Sequence, residues 1–233
     1  MAGKVWTWFE RFTTLVLLIA ALVMIWSTRQ PRALPAFEDA IQTADEVSGL
    51  LPPDVASTAA RRGAEKAKFA LVEFSDYQCP FCGKSARELG PQIQRDFVEP
   101  GRMTYLFLNF PLEQLHPNAF KASEAAECAK GQGKYWEMHD LLFSNQAALS
   151  RPDLSKYSAA VGLKREAFDT CLEGQTAPKV RNDIALARMF GFNGTPGFLL
   201  GRTKPDGGIQ IERRIRGVQS YSAFKAILNQ YIG

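Results

Sequence analysis

Cys79-Pro80-Phe81-Cys82 sets two thiols one helical turn apart. The almost continuous apolar run Phe69 to Phe74 ends just before them, and Ala86, Leu89 and Ile93 follow at helical spacing. The pair therefore falls at a strand-to-helix junction. A thiolate there is favoured by the helix dipole and by backbone N–H groups without partners. Pro80 suits the first helical position, where a missing N–H costs nothing. Cys79 is the expected nucleophile and Cys82 the more buried resolving thiol, with exchange running through a mixed disulfide. Half a zinc site is the rival use of two such thiols. Structural zinc takes four protein ligands, and the chain has no second C-x-x-C and no paired histidines. No metal is expected, and no organic cofactor, because a dithiol is itself a redox centre. Of the only histidines, His139 reads as a packing or capping residue within a helix and His116 stands before Pro117 at a helix entry; neither suits a ligand or a base.

A chain of 233 residues can bury one sizeable core, with or without an inserted subdomain. Net charge is only +4 and the basic residues are scattered. The densest cluster, Arg213-Arg214-Ile215-Arg216, suits the solvated edge of a strand, so nucleic acid is not an expected partner. Two further cysteines, Cys128 and Cys171, each fall in a helical pattern. They are expected to form a second, structural bridge, with two separate buried thiols as the alternative, since sequence alone proves no connectivity.

Phe12 to Thr28 is a run of 17 uncharged, mostly apolar residues between Arg11 and Arg29. As a helix it would be about 26 Å long, slightly short of a ~30 Å hydrocarbon core, with the two arginines able to snorkel. Trp6, Trp8 and Trp26 suit the two interfaces. No A-x-A follows the run, so an uncleaved membrane anchor is expected over 12–28, with a cleaved signal as the alternative. Four cysteines in an exported chain then point to an oxidising, extracytoplasmic compartment, periplasmic or at the cell surface.

Gln30 to Pro35 reads as a linker. Phe37, Ile41, Ala44, Val47 and Leu51 recur at helical spacing and predict an amphipathic helix ending before Pro52-Pro53. Its apolar stripe would pack on its own domain or on a second subunit. Strands are expected at 69–74 and 103–108 around the helix that starts after Cys79, which makes a βαβ unit. From Pro117 to Phe190 the pattern is helical, with candidates at 118–130, 134–145, 153–161, 164–173 and 177–190. Strands return at 197–200 and 208–215, and a helix closes the chain over 220–232.

In this order of elements the chain resembles the bacterial DsbA-like thiol–disulfide oxidoreductases. The likeness is carried by Phe74-Ser75-Asp76-Tyr77-Gln78-Cys79-Pro80-Phe81-Cys82, by Ala125-Ala126-Glu127-Cys128-Ala129 with Gly133-Lys134-Tyr135-Trp136 and His139 to Phe143, and by Gly191 to Pro196. It spans about residues 66 to 233. The resemblance implies an α/β thioredoxin fold (βαβ…ββα) with an inserted all-helical subdomain, preceded here by the membrane segment. The corresponding division is 1–30 anchor or signal, 31–65 linker and amphipathic helix, 66–116 with 191–233 thioredoxin-like domain, and 117–190 helical insertion. It also implies that Pro196 is a cis-proline facing the two thiols, with Thr195 offering its backbone to an incoming peptide strand. Glu73, six residues before Cys79, stands where related enzymes carry an acid that moves protons for the buried cysteine; burial would raise its pKa. Phe81 departs from the His of strongly oxidising members and should leave the thiolate less supported. Thr195 rather than Val occurs in isomerase and reductase branches.

The resulting expectation is a membrane-anchored enzyme that forms disulfides in exported cysteine-containing proteins and is reset by a separate redox partner. A reductase or isomerase of the same fold is the runner-up, with dimerisation through 37–51 as its hint. A redox-inactive binding protein is the reading from another class.

Overall fold

The computed structural model describes Met24 and residues 44–232. The anchor segment 12–28, Met24 aside, and residues 29–43 lie outside the described residues. Among the described residues no helix is long and apolar enough to cross a membrane.

The centre is a six-stranded sheet ordered β1-β6-β5-β3-β4-β2. Its strands are β1 (Ala44–Leu51), β2 (Ala60–Arg62), β3 (Phe69–Ser75), β4 (Met103–Asn109), β5 (Gly197–Thr203) and β6 (Ile209–Arg216). Strands β3 and β4 are parallel, and every other pair is antiparallel. All seven residues of β3 are buried, as befits a strand covered on both faces.

The pleat of β3 sorts the core into two layers. Phe69 and Leu71 face helix α2 (80–98) and the closing helix α8 (Tyr221–Ile232), where Leu89, Ile93, Phe97, Phe224 and Leu228 meet them. Ala70, Val72 and Phe74 face the other way, onto α1 (Pro53–Thr58) and α7 (Ala177–Met189). Helix α2 is α-helical over Pro80–Lys84 and Gly90–Ile93, with π-turns at Ser85–Leu89 and Gln94–Val98. The first π-turn, closed by Gly90 N–H onto Ser85 O, widens the helix just where the ring of Pro91 would press on a carbonyl one turn back.

Between β4 and α7 lie α3 (Ala119–Lys130), α4 (Tyr135–Ser144), α5 (Arg151–Ala160) and α6 (Arg165–Cys171). These four helices share a third hydrophobic cluster, and Tyr77, Cys79 and Cys82 belong to it. Cys128 on α3 and Cys171 on α6 are joined by a disulfide.

Two sequence expectations need correction. Residues 44–51 form strand β1, not the end of an amphipathic helix, so a domain border at 66 cuts through one sheet. In β1, Asp45, Val47, Gly49 and Leu51 turn inward while Glu46, Ser48 and Leu50 are exposed, a period of two. The positions 44, 47 and 51 also satisfy a helical period, and pairing decides between them: Ala44 lies opposite Ile215 and Leu51 opposite Ile209, and Asp45 makes an ion pair with Arg214 of β6. Strand β2 likewise pairs with β4. The second correction concerns α7. Val180, Ile184 and Ala187 pack on the sheet with Val72, Leu106 and Leu199, so this helix belongs to the sheet's own cover rather than to the insertion.

Candidate active site

Cys79 is the N-cap residue of α2, with extended backbone, and Pro80 occupies the first turn. Asp76 builds the turn that leads into it. Asp76 Oδ1 accepts the N–H groups of Gln78 (2.7 Å) and Cys79 (3.2 Å). Its Oδ2 accepts Leu112 N–H and bonds His116 Nδ1, each at 2.8 Å. A fully buried carboxylate thus ties the cysteine turn to the loop after β4. His116, expected at a helix entry with no role as ligand or base, has this acid as its partner. Gln78 Oε1 adds a bond from Asn118 N–H, at the start of α3.

The helical insertion grips the same turn. Gln146, after α4, donates to Tyr77 O (2.9 Å) and Cys79 O (2.7 Å). A Cβ on Gly83 would overlap the Gln146 amide, which explains the glycine after Cys82. The Tyr77 ring packs on Phe107 and Phe143, with ring centroids 5.6 and 4.7 Å away, and its hydroxyl meets that of Tyr135. His139 is buried among these rings as a packing residue, bonds Asp140, and its pKa is lowered by burial.

Pro196 follows a cis peptide bond from Thr195, and the Cys79 thiol donates to Thr195 O at 3.6 Å. The cis-proline strand and the cysteine turn, 114 residues apart from Cys82 to Pro196, meet here. Both cysteines are free thiols. The Cys79 pKa falls to about 6, chiefly because the Cys82 thiol bonds its sulfur. Thr195 and the backbone N–H groups of Cys82 and Phe81 add to this, against the opposing effect of burial. Cys82 is fully buried, and burial followed by the Cys79 sulfur pushes its pKa well up. The pair is therefore divided into a ready thiolate and a thiol that needs a base. The Phe81 ring is 63% exposed, so at Cys79 this residue acts through its N–H rather than its side chain.

Glu73 is 4% exposed and lies on the α2 face of β3. Burial raises its pKa to about 7, moderated by the Tyr105 hydroxyl, which donates to Glu73 Oε2 at 2.6 Å, and by Ser75. Sequence reasoning named Glu73, gave His116 no part in the site, and passed over the roles of Tyr105, Asp76 and Gln146. Asp76 carried a readable signal, an Asp three residues before a helix-start Cys-Pro. Gln146 carried none. Among the described residues no group of three or more His, Cys, Asp or Glu side chains could hold a metal ion.

The family model described as Thioredoxin matches residues 56–226, and the chain belongs to that family. Among solved structures, the fold is similar to oxidised BdbD from Bacillus subtilis (TM-score 0.65, 22% identity, covering 81% of this chain and 98% of that one). It is also similar to alpha-DsbA1 from Wolbachia pipientis (TM-score 0.63, 22% identity, 75% and 91%) and to the catalytic domain of ScsC from Proteus mirabilis (TM-score 0.59, 21% identity, 75% and 89%). The fold is thus that of DsbA-like proteins, a thioredoxin fold with a helical insertion. Curated relatives include a Na(+)/H(+) antiporter NhaA 3 of Salinispora tropica, 33% identical over 160 residues, which are 68% of this chain and 24% of that protein. Another is a Na(+)/H(+) antiporter NhaA of Herminiimonas arsenicoxydans, 31% identical over 188 residues, 80% and 28%. The chain spans about a quarter of the length of these relatives.

Proposed function

We propose that this protein is a thiol–disulfide oxidoreductase that forms disulfides in exported, cysteine-containing proteins through Cys79 and Cys82. The observation that carries the exchange chemistry is the division of the pair: Cys79 with a pKa lowered to about 6 beside Thr195 O, and Cys82 raised and buried beneath it. A substrate thiolate attacks Cys79 of the oxidised pair, Cys82 leaves, and a second substrate thiolate then releases Cys79. A groove of about 410 Å³ is lined by Leu112, Leu115, Arg188, Phe192 and Asn193, two residues before Thr195 in the chain. An extended substrate segment adding beside Thr195 would run into it. The dithiol needs no cofactor, and a separate redox partner would return it to the disulfide.

Placement at the extracytoplasmic face, with residues 12–28 as anchor or cleaved signal, rests on the apolar run and on the Cys128–Cys171 bridge, which suits an oxidising compartment. The helical stripe that served as a dimerisation hint for the reductase or isomerase reading is not formed over 44–51, which are strand β1. Antiport is not carried over from relatives of which the matched part is so small.

Direction is tested by the Cys79–Cys82 reduction potential, by equilibration with glutathione and alkylation-mass analysis. Thioredoxin and DsbA stand about 150 mV apart on this scale. A value at the glutathione poise or more oxidising supports disulfide donation, whereas one near thioredoxin overturns it in favour of a reductase. In the same cells Cys82→Ser should accumulate Cys79-linked exported proteins, and capture of none would sink the exchange reading itself.

A further inference from the structure

Two buried hydroxyls beside the cysteines, Ser75 Oγ and Thr195 Oγ1, make no well-formed hydrogen bond among the described residues. A buried hydroxyl without a partner loses the hydrogen bonds it made to water, so such a group calls for an explanation. Thr195 flanks Cys79 from the β5 side. Ser75 is different. It is fully buried at the end of β3, two residues beyond Glu73 and so on the same face of the sheet, the face covered by α2, whose Cys82 clusters with Phe107, the β4 residue opposite Glu73. Its hydroxyl lowers the proton affinity of both the Glu73 carboxyl and the Cys82 thiol, against the burial that raises them. Its backbone is held in place by β4: Ser75 lies opposite Asn109, and its carbonyl accepts Phe110 N–H at 2.7 Å. Packing does not require a hydroxyl in this spot, since neighbouring strand positions on the same face carry Leu71 and Phe69.

We infer that the Ser75 hydroxyl relays the proton between the Cys82 sulfur and the Glu73 carboxyl during exchange. The inference rests on the exchange reading above. When a substrate thiolate attacks Cys79 of the oxidised pair, a substrate–Cys79 S–S bond forms and the Cys79–Cys82 bond breaks. The electron pair goes to the Cys82 sulfur, which takes the Ser75 proton as Ser75 takes the Glu73 proton. In the opposite direction Cys82–SH attacks a Cys79 mixed disulfide, its proton passes through Ser75 to the Glu73 carboxylate, and the departing thiolate carries the electron pair. A hydroxyl both donates and accepts, so it serves both directions without carrying charge. The groups that face the acid are Tyr105 of β4, Tyr77 after β3, and the Arg62 charge of β2 acting through Tyr105. Strand β5 sets the apolar Phe198 opposite it.

The test uses the full chain, reduced, with glutathione disulfide as the probe. The first step, Cys79 attack, and the second, attack by Cys82 on the Cys79–glutathione adduct, are timed by acid quench and mass analysis across about pH 5 to 9, the range that brackets a general base of this kind. Ser75→Ala should leave the first step and the Cys79 thiolate absorbance unchanged. It should slow the second step at least about tenfold near pH 7 and flatten its rise through Glu73 ionisation, the low end of what a positioned proton-transfer group supplies. Glu73→Gln should do the same, the double variant should be no slower than either, and Ser75→Thr should restore the pH profile. A Ser75→Ala second step that tracks the wild type at every pH overturns the relay. Wild-type protein that forms no adduct at all overturns the exchange reading instead. A loss in Ser75→Ala that Ser75→Thr fails to restore reduces the residue to packing, and also overturns the relay.

Discussion

At the scale of single residues, the site is a set of buried polar groups held at unequal proton affinities. Cys79 is lowered by donors and Cys82 is raised by burial, so only one thiol is nucleophilic at neutral pH. Glu73 bears the cost of its own burial. Its carboxyl prefers the neutral form in the fold, with a pKa near 7 against 4.5 when unhindered. Folding is unaffected by this below the lower value, where both states are protonated. Stability is then lost as pH rises towards 7, because the unfolded chain ionises first, and the loss is constant above that. The difference corresponds to on the order of 3 kcal/mol. Glu73→Gln, which still accepts from Tyr105, should therefore raise stability to urea by about 2–3 kcal/mol at pH 8 and leave it nearly unchanged at pH 4. Equal gains at both values would mean that charge burial is not the cause.

At the scale of elements, the short first turn of α2 is held from outside rather than by its own length. Asp76 caps the turn from the strand side, the loop after β4 clasps Asp76, and Gln146 reaches over from the insertion. Gln146→Ala removes two hydrogen bonds and should cost about 1–2 kcal/mol. Hydrogen exchange should quicken at Gly83, whose N–H bonds the same Cys79 carbonyl, while exchange in β5 stays as it was. Unchanged protection at Gly83 would show that the insertion packs on the turn without fixing it. The closing of the sheet by β1 is a second effect at this scale. Asp45 pairs with Arg214 and Arg216 and covers the arginine-rich strand that otherwise reads as an open edge.

At the scale of the whole molecule, the chain runs twice through one sheet and places a four-helix cap between the passes. The cap shares its hydrophobic cluster with the cysteine turn, so its integrity and the site's are linked. The Cys128–Cys171 bridge spans 43 residues of that cap. A loop of that length implies a stabilisation of about 3–4 kcal/mol in the chain-entropy account. The double variant Cys128→Ser, Cys171→Ser should lose about 2–4 kcal/mol to urea and keep the Cys79 thiolate titration of the parent. A shifted titration would show that the bridge also sets the site.

Much of this architecture was legible in the chain. Uninterrupted apolar runs marked β3, β4 and β5, and Gly and Pro punctuated the helices of the cap within one or two residues. The C-x-x-C at a helix start and the Gly-Thr-Pro-Gly before a strand far downstream marked the two halves of the site by local signals, backbone propensity and the reactivity of thiols. The acid six residues before Cys79 and the cis bond at Pro196 were legible only through the resemblance to a family. Tertiary structure decided what depends on a partner distant in sequence. The residues of β1 fit both a helical and a strand period, and only pairing with β6 chose. Helix α7 has an apolar stripe like its neighbours, and only its place over the sheet separates it from the cap. Tyr105, His116 and Gln146 are ordinary side chains in sequence. They gain their roles from the buried carboxylates and carbonyls they meet, since a polar group taken out of water must find its hydrogen bond in the fold.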